Sequence, residues 1–249
     1  MKRILAAVAA CLALAGAAGA TTYTADFSSI TLDPTLTPYA GASYITSGNG
    51  NLTFAYRPDE AGTDIAPGVF TNMLFSGDYT ATITLDMTNI PTTGPYNYYG
   101  AGFCSTVQSS GTGICANSYN NGTPIANGSI TTNGVFTGAS AVTAANIVTF
   151  QLQRIGDVVT DSMSIDGGAY QTLATYSGSG VIGDVSFGIF NVSNAADGAT
   201  GSVSFSNFSV VSSDVPEPAS WGMMICGLGL AGAVMRRKKT VAGSRPCYA

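Results

Sequence analysis

Few side chains in this sequence could carry out chemistry, and histidine is absent from all 249 residues. Without an imidazole, the chain has no Ser-His or Cys-His pair to activate a nucleophile. A zinc-bound water would also lack its most common protein ligand. The carboxylates, tyrosines and cysteines are therefore the residues whose positions decide which chemistry remains.

Hydrolysis of a glycosidic bond needs two carboxyl groups, one as acid and the other as base or nucleophile. The segment 21–214 has a single glutamate, Glu60, beside Asp59, and it has no Glu-x-Asp-x-x-Glu motif. No other pair of acids stands out on one face of a predicted strand. We therefore expect a protein that is not an enzyme, with a divergent glycan hydrolase as the alternative.

Aspartates are frequent in the turn-rich second half of this segment. They are Asp157, Asp161, Asp166, Asp184 and Asp197. Carboxylate oxygens suit Ca²⁺, so a bound calcium ion is one interpretation. We favour the simpler one, in which each aspartate caps the backbone of its own turn, and we predict no required cofactor or metal site.

Four tyrosines occur in a stretch rich in Gly, Pro and Asn that is predicted to form long loops. They are Tyr96, Tyr98, Tyr99 and Tyr119. Exposed rings at these positions could stack on sugars, which makes them candidate ligand residues. The favoured interpretation is that they pack the loops onto the body of the domain.

Two of the five cysteines, Cys104 and Cys115, lie in the middle of the chain. The others, Cys11, Cys226 and Cys247, fall in or beyond the terminal segments. In an oxidising compartment, the central pair is expected to form a disulfide that closes a Gly/Ser-rich loop. A metal site is the alternative, but it lacks histidine partners.

The N-terminus has the pattern of a secretory signal peptide. Lys2 and Arg3 precede an apolar run over residues 4–18, and small residues lead to a cleavage site after Ala20. A lipoprotein signal ending at Cys11 is the alternative, although the apolar run continues beyond that cysteine. We predict export, with residues 1–20 removed as the signal peptide.

Charge is distributed unevenly along the chain. Segment 21–214 has 2 basic residues, Arg57 and Arg154, against 13 acids, which leaves a formal charge of −11. Binding to nucleic acid needs clustered Lys and Arg, so a nucleic-acid partner is not expected. Charged residues make up 9% of the chain, against about 25% in an average domain. A surface of Ser, Thr, Asn and Gly suits contact with polysaccharide.

Alternation of apolar and polar residues predicts many short strands in segment 21–214 and no helix of useful length. The clearest strand runs from Asp78 to Met87. Further strands are predicted at 51–56, 150–155, 158–165, 169–176, 185–192 and 201–211. An Asp-Gly turn at Asp166 indicates a hairpin. Residues 89–138 are predicted to be mainly loop, with short strands near 101–107 and 129–136.

Several of these strands resemble the concanavalin A-like (laminin-G-like) jelly rolls. The similar motifs are Arg154-Ile155-Gly156-Asp157, Asp166-Gly167-Gly168, Phe187–Phe190 and Val203–Val210. The resemblance implies an all-β fold, an antiparallel jelly-roll β-sandwich, for the ectodomain 21–214. It leaves the ligand open, because unrelated functions occur on this fold.

The C-terminal stretch has three parts in order. Pro216, Glu217 and Pro218 favour an extended backbone, and Trp221 lies where an interfacial aromatic residue would anchor. Residues 219–235 then form an apolar, glycine-rich run of 17 residues, about 26 Å long as a helix and at the short end for a membrane span.

A basic cluster of Arg236, Arg237, Lys238 and Lys239 follows the apolar run. Such a cluster stops translocation and keeps a terminus cytoplasmic. We predict a single transmembrane sorting helix within 215–239 and a cytoplasmic tail over 240–249. An ordinary, permanent anchor is the alternative interpretation.

This order closely resembles the PEP-CTERM sorting signal over Val215–Lys239. The resemblance implies an exosortase as processing partner, transient residence in the inner membrane, removal of the tail, and delivery to the cell surface or an exopolysaccharide matrix such as a biofilm. The resulting hypothesis is a secreted, non-enzymatic surface protein. Its jelly roll would contact extracellular polysaccharide or a neighbouring surface protein.

Overall fold

The computed structural model describes residues 20–55, 67–90, 98–120, 123–132, 135–138, 142–194 and 201–213. Thr21–Ser213 form one compact unit. No helix in the described part of the chain is long and apolar enough to cross a bilayer. The signal peptide (all but Ala20), the sorting helix and the cytoplasmic tail predicted from the sequence lie outside the described residues.

Sixteen strands account for most of the described residues. In chain order they are β1 (Ala20–Thr24), β2 (Leu36–Ala40), β3 (Ile45–Gly48), β4 (Asn51–Ala55), β5 (Gly68–Thr71), β6 (Tyr79–Asp86), β7 (Tyr98–Val107), β8 (Thr112–Asn120), β9 (Pro124–Thr132), β10 (Val135–Gly138), β11 (Val142–Thr143), β12 (Ile147–Ile155), β13 (Val158–Ile165), β14 (Gln171–Ser177), β15 (Val185–Asn194) and β16 (Ser202–Ser213). The described helical elements are two single 3₁₀ turns, at Ala42–Tyr44 and Ser179–Val181.

These strands form two sheets of eight. Sheet A has the order β14-β13-β12-β6-β16-β4-β3, with β1 beside β16. Sheet B has the order β10-β9-β8-β7-β15-β5-β2, with β11 beside β9. The strand pairs of known register are antiparallel. The all-β antiparallel sandwich predicted from the sequence is therefore confirmed.

The strands of sheet A follow the alternation read from the sequence. In β6, Tyr79, Ala81, Ile83 and Leu85 are buried while the residues between them are partly exposed. The β13–β14 hairpin turns at Asp166 and Gly167, whose φ angles are 52° and 71°. Two successive positive φ angles are what the centre of a type I′ turn requires, and Asp-Gly supplies them within the five-residue connection 166–170.

The prediction that residues 89–138 are mainly loop is wrong. Strands β7, β8 and β9 run through this region with nine or ten residues each, and β10 follows. The alternation there uses small residues, with Ala101, Ser105, Ala116 and Ser118 fully buried. Small inward side chains give little hydrophobic signal, while the glycines between them indicate turns.

Aromatic rings join the two sheets in the core. Phe187 of sheet B lies 5.2 Å from the ring of Tyr79 and 6.2 Å from that of Phe208, both in sheet A, measured between centroids. Phe103, its neighbour in sheet B, stacks on it at 5.4 Å. Edge-to-face and offset pairs of this kind stabilise a core beyond their buried area.

The guanidinium of Arg154 is buried at one end of the sandwich, with the residue 3% exposed. It donates to the backbone carbonyls of Gly77, Val181 and Gly183 and lies 4.9 Å from the centre of the Tyr79 ring. Carbonyl dipoles and a π face therefore compensate the loss of hydration. This arginine ties the start of β6 to the segment before β15.

Asp161 lies on β13, inside the sandwich and fully buried. Neither carboxyl oxygen has a hydrogen-bond partner among the described residues. Across the core lies Gly128, where a Cβ would come within 2.5 Å of Oδ2. Burial raises the pKa of Asp161 well above its usual value. Burial is the main cause that raises the pKa of Tyr176 to about 12, and the carboxyl of Asp161 is the second cause.

A buried carboxyl of this kind makes stability depend on pH. Because the folded-state pKa of Asp161 is raised, its protonated carboxyl contributes to the stability of the fold at pH values below its unfolded pKa of 3.8. That contribution to stability is lost as the pH rises through the folded-state pKa. We predict that Asp161→Asn stabilises the sandwich at pH 7 by about 1–3 kcal/mol.

Urea denaturation of both chains from pH 4 to pH 8 tests this prediction. The advantage of the variant should grow as the pH rises. Asp157→Asn, at an exposed turn, is the control and should show no such trend. An Asp161→Asn variant that is less stable than wild type at pH 7 would contradict the assignment.

Candidate functional site

The alternation of side chains along β15 shows which residues belong to the outer surface of sheet B, the face turned away from the core. Val185, Phe187 and Ile189 point inward and are buried. Ser186, Gly188 and Phe190 therefore belong to the opposite face. Gly188 pairs with Phe70 of β5 on one side and with Cys104 of β7 on the other.

Glycines on this face make room for aromatic rings from the neighbouring strand. A Cβ on Gly188 would lie 3.2 Å from the ring of Phe70. A Cβ on Gly102 would lie 2.7 Å from Cζ of Phe190. Gly68 is in the same position beneath the ring of Tyr39. Three rings thus lie against backbone that has no side chain, as in aromatic rescue of glycine.

Two of these rings form an exposed pair. Tyr39 and Phe70 stack with centroids 4.3 Å apart and planes 27° from parallel. Their side chains are still 43% and 40% exposed. Burial of the hydroxyl side of Tyr39 raises its pKa to about 12, so it is neutral at any physiological pH. An aromatic pair that remains half in water is unusual unless it meets a partner.

A cleft of about 530 Å³ opens beside this pair on the same face. Its lining residues include Phe70, Asn72, Leu74, Thr106, Gln108 and Ser186. The volume is within the roughly 300–1,000 Å³ range of small-molecule sites. An apolar wall with a few amides and hydroxyls is the usual composition of a site that holds a neutral polar ligand.

Hydrogen bonds hold the polar side chains of the cleft in place. Gln108 Nε2 donates to Ser186 Oγ at 2.8 Å, and its backbone N–H donates to the carbonyl of Asp184 at 2.9 Å. Asn72 Nδ2 donates to the carbonyl of Pro34 at 2.9 Å. Beneath them, the hydroxyl of Thr71 accepts from the N–H of Phe187 at 3.0 Å. The site is therefore anchored to the core.

The described strands of this face lack the carboxyl groups used in acid–base catalysis. The eight strands of sheet B contain no Asp, Glu, Lys or Arg. Within the described residues, no group of three or more acids or cysteines could hold a metal ion. The arrangement can stack on and hydrogen-bond to a ligand, but these strands supply no proton donor and base of the kind that glycoside hydrolysis requires.

The cysteine pair predicted from the sequence is a disulfide in the structure, but it does not close a loop as expected. Cys104 and Cys115 lie directly opposite each other on β7 and β8, and the bond joins the two strands. Both residues belong to the outer face, in the same row as Phe70 and Gly188. The disulfide therefore fixes the strand that borders the cleft.

The tyrosines predicted to lie on long loops are placed differently. Tyr98 and Tyr99 begin β7, and Tyr119 lies within β8. Tyr119 is partly buried and pairs with Gly100, two residues along the strand from Gly102. The side chains of Tyr98 and Tyr99, and all of Tyr96, lie outside the described residues.

The described aspartates among those considered for calcium do not come together. Asp157 and Asp166 flank the eight-residue strand β13, whose length alone separates them by about 23 Å. Asp161 is inside the core, and Asp184 accepts a hydrogen bond from Ser76 at the surface. Asp197 lies outside the described residues.

The exposed ring pair and the cleft were missed in the sequence analysis. A signal was present in Phe187–Phe190, where Gly188 and Phe190 take the outward positions of a strand. A glycine and a phenylalanine at successive outward positions indicate a surface where an aromatic ring can lie directly against the backbone. The partners Tyr39 and Phe70 come from distant strands, so their proximity depends on the sheet order.

The two antiparallel sheets define the class of this protein, an all-β sandwich. The CBM2 module of the evolved Dit protein of Lactobacillus casei BL23 phage J-1 superimposes with a TM-score of 0.58 at 12% identity, over 79% of this chain and 99% of that one. Crh5 transglycosylase gives 0.52 at 15% identity, over 81% and 87%. The GH43 protein BlXynB of Bacillus licheniformis gives 0.55 at 12% identity, over 76% and 39%. At these identities the likeness shows the fold.

A second similarity lies in the C-terminal tail. Residues 214–239 match the PEP-CTERM protein-sorting motif, so the chain carries that signal downstream of the sandwich. The motif includes the predicted sorting residues Pro216, Glu217, Pro218 and Trp221 and the basic cluster 236–239, all outside the described residues. No curated protein matches the chain.

The disulfide leads to a prediction about thiol content. Alkylation of the denatured protein without reductant should leave Cys104 and Cys115 unlabelled in intact-mass analysis. Replacing both by serine should lower the free energy of unfolding by about 2–3 kcal/mol, because the cross-link restricts the unfolded chain. Cys247→Ser is the control and should leave stability unchanged. Labelling of both central cysteines would contradict the disulfide.

Proposed function

We propose that this protein is an exosortase-sorted component of the cell surface or the exopolysaccharide matrix, and that its sandwich binds glycan without hydrolysing it. The observation that carries the proposal is the sorting motif at residues 214–239 on a chain whose sheet B presents an aromatic, uncharged face. Export by the signal peptide, a transient inner-membrane anchor and removal of the tail are the steps that this function requires.

Three further features support glycan binding over other functions. The names of the similar folds include a CBM2 module and a transglycosylase. The formal charge of −11 over 21–214 is unsuitable for nucleic acid. The exposed Tyr39–Phe70 pair and its cleft have the composition of a site for a neutral polar ligand. Binding to a neighbouring surface protein is the other outcome that this face allows.

The proposal of a non-enzymatic role rests on the distribution of the acids. Asp161 is enclosed in the core, away from any ligand. Asp78 accepts from the N–H of Gly156 at 2.7 Å, which is a structural role at a turn. Asp59 and Glu60 lie outside the described residues, so they provide the variants for a test of hydrolysis.

Sorting is tested by changing the tripeptide. Pro216→Ala plus Glu217→Ala should leave the tail attached and hold the protein in the inner-membrane fraction, because the extended recognition segment is lost. Cell fractionation with a tail-specific antibody, in a host that contains exosortase, measures both effects. Ser244→Ala plus Pro246→Ala is the matched control downstream of the motif. Unchanged tail removal and surface delivery in the first variant would refute sorting.

Hydrolysis is tested on the same protein. Incubation with β-glucans and acidic polysaccharides should release no reducing ends above a protein-free blank. Turnover would overturn the non-enzymatic role. In that case, activity that survives Glu60→Gln plus Asp59→Asn would place the catalytic groups elsewhere in the chain.

A further inference from the structure

The exposed rings and the cleft share one residue, Phe70, and form a single continuous surface. We propose that this surface binds an extended, uncharged polysaccharide. Its sugar rings stack on Tyr39 and Phe70, and its hydroxyls hydrogen-bond to Asn72, Gln108 and Thr106 in the cleft. This inference rests on the proposed function and names the class of glycan and the residues that bind it.

Charge is the first argument for a neutral polymer. The strands of sheet B contain no charged residue. The one basic side chain of the described part, Arg154, is 3% exposed and bonded to carbonyls. Asp184, whose carbonyl accepts from the N–H of Gln108, is the ionisable group next to the cleft. Among the described residues, a polymer of uronic acids would find no accessible cation on this face, and it would lie near the like charge of Asp184.

Rigidity is the second argument. A surface whose side chains are already ordered loses less conformational entropy when a ligand binds, so it binds the ligand more strongly. Each aromatic ring is held against a glycine of the next strand, and the stacked pair restrains both of its members. Gln108 is fixed by Ser186, and Asn72 by the carbonyl of Pro34. The surface is thus arranged before a ligand arrives.

The direction of the rings is the third argument. Phe190, Phe70 and Tyr39 belong to β15, β5 and β2, which are successive strands of sheet B. Strands lie about 4.8 Å apart, so Phe190 and Tyr39 are separated by about 10 Å. Phe190 pairs with Gly68, two residues along β5 from Phe70, so a polymer that crosses the strands obliquely meets these aromatic positions in sequence. A polymer along one strand would meet a single ring.

Pull-down with defined polymers tests the inference. The full-length chain, purified in detergent, is incubated with xyloglucan, mixed-linkage β-glucan and mannan as neutral probes, and with alginate and polygalacturonate as acidic probes. Wild type should bind at least one neutral polymer, with little change between 50 mM and 500 mM salt. Tyr39→Ala plus Phe70→Ala should weaken this binding about tenfold or more.

Two further variants keep the result interpretable. Gln108→Ala removes an exposed amide without touching the rings, and it should weaken binding about threefold. Ile155→Ala is the matched control, since Ile155 is an apolar residue 63% exposed at the β12–β13 turn of the other sheet. Its binding should equal that of wild type. Thermal unfolding of each variant verifies that the sandwich is intact.

The outcomes separate this inference from the proposed function. Loss of neutral binding in the double variant, with the control unaffected, supports the inference. Binding to acidic polymers alone, or neutral binding that survives in the double variant, overturns the inference while glycan binding itself stands. Absence of binding to any polymer, with a surface protein captured by crosslinking through Tyr39, overturns both.

Discussion

Contact between the sheets at Phe187 is the interaction on which the candidate site depends. The ring packs on Phe103 within its own sheet and on Tyr79 and Phe208 from the other one. Because side chains alternate along a strand, fixing Phe187 inward also fixes Ser186 and Gly188 outward. The floor of the cleft and the most aromatic part of the core are therefore opposite faces of the same strands. The strands supply the floor of the cleft, and Asn72, Leu74 and Gln108 from the adjoining connections complete its lining.

The strands of this surface carry no charged residue, and the two buried acidic or basic side chains of the described part belong to sheet A. Arg154 is stabilised by three backbone carbonyls and a tyrosine ring. Asp161 has no partner in the described structure, and burial raises its pKa because the ionised form is poorly solvated there. The arginine serves the fold by joining two segments. The aspartate destabilises it at neutral pH, and the structure gives no compensating contact.

Much of sheet A could be predicted from sequence because its strands alternate large apolar residues with Thr and Ser. Strand β6 and the β13–β14 hairpin at Asp166 follow patterns that a period of two and a type I′ turn explain. Strands β7 and β8 of sheet B could not, since Ala101 and Ala116 fill core positions and Gly102 interrupts the pattern within β7. Small residues lose little apolar area when exposed, so they give a weak pattern.

The candidate site was unpredictable for a different reason. Tyr39, Phe70 and Gln108 come from three segments that only the sheet order brings together. The tyrosines predicted as candidate ligand residues are close together in sequence. Tyr39 and Phe70 are separated by thirty residues and become neighbours because β2 pairs with β5. Local composition identifies aromatic-rich loops, but a binding face on a sheet is a property of strand pairing.

The end of the last strand explains how one chain can be both anchored and released. Ser213 closes β16, with its N–H donating to the carbonyl of Asp78 at 2.8 Å and its hydroxyl accepting from the N–H of Asp78 at 3.1 Å. The sorting motif begins at the next residue, 214. All sixteen described strands therefore precede the motif. Cleavage within the motif would remove none of these strands, so a released product would keep the described sandwich.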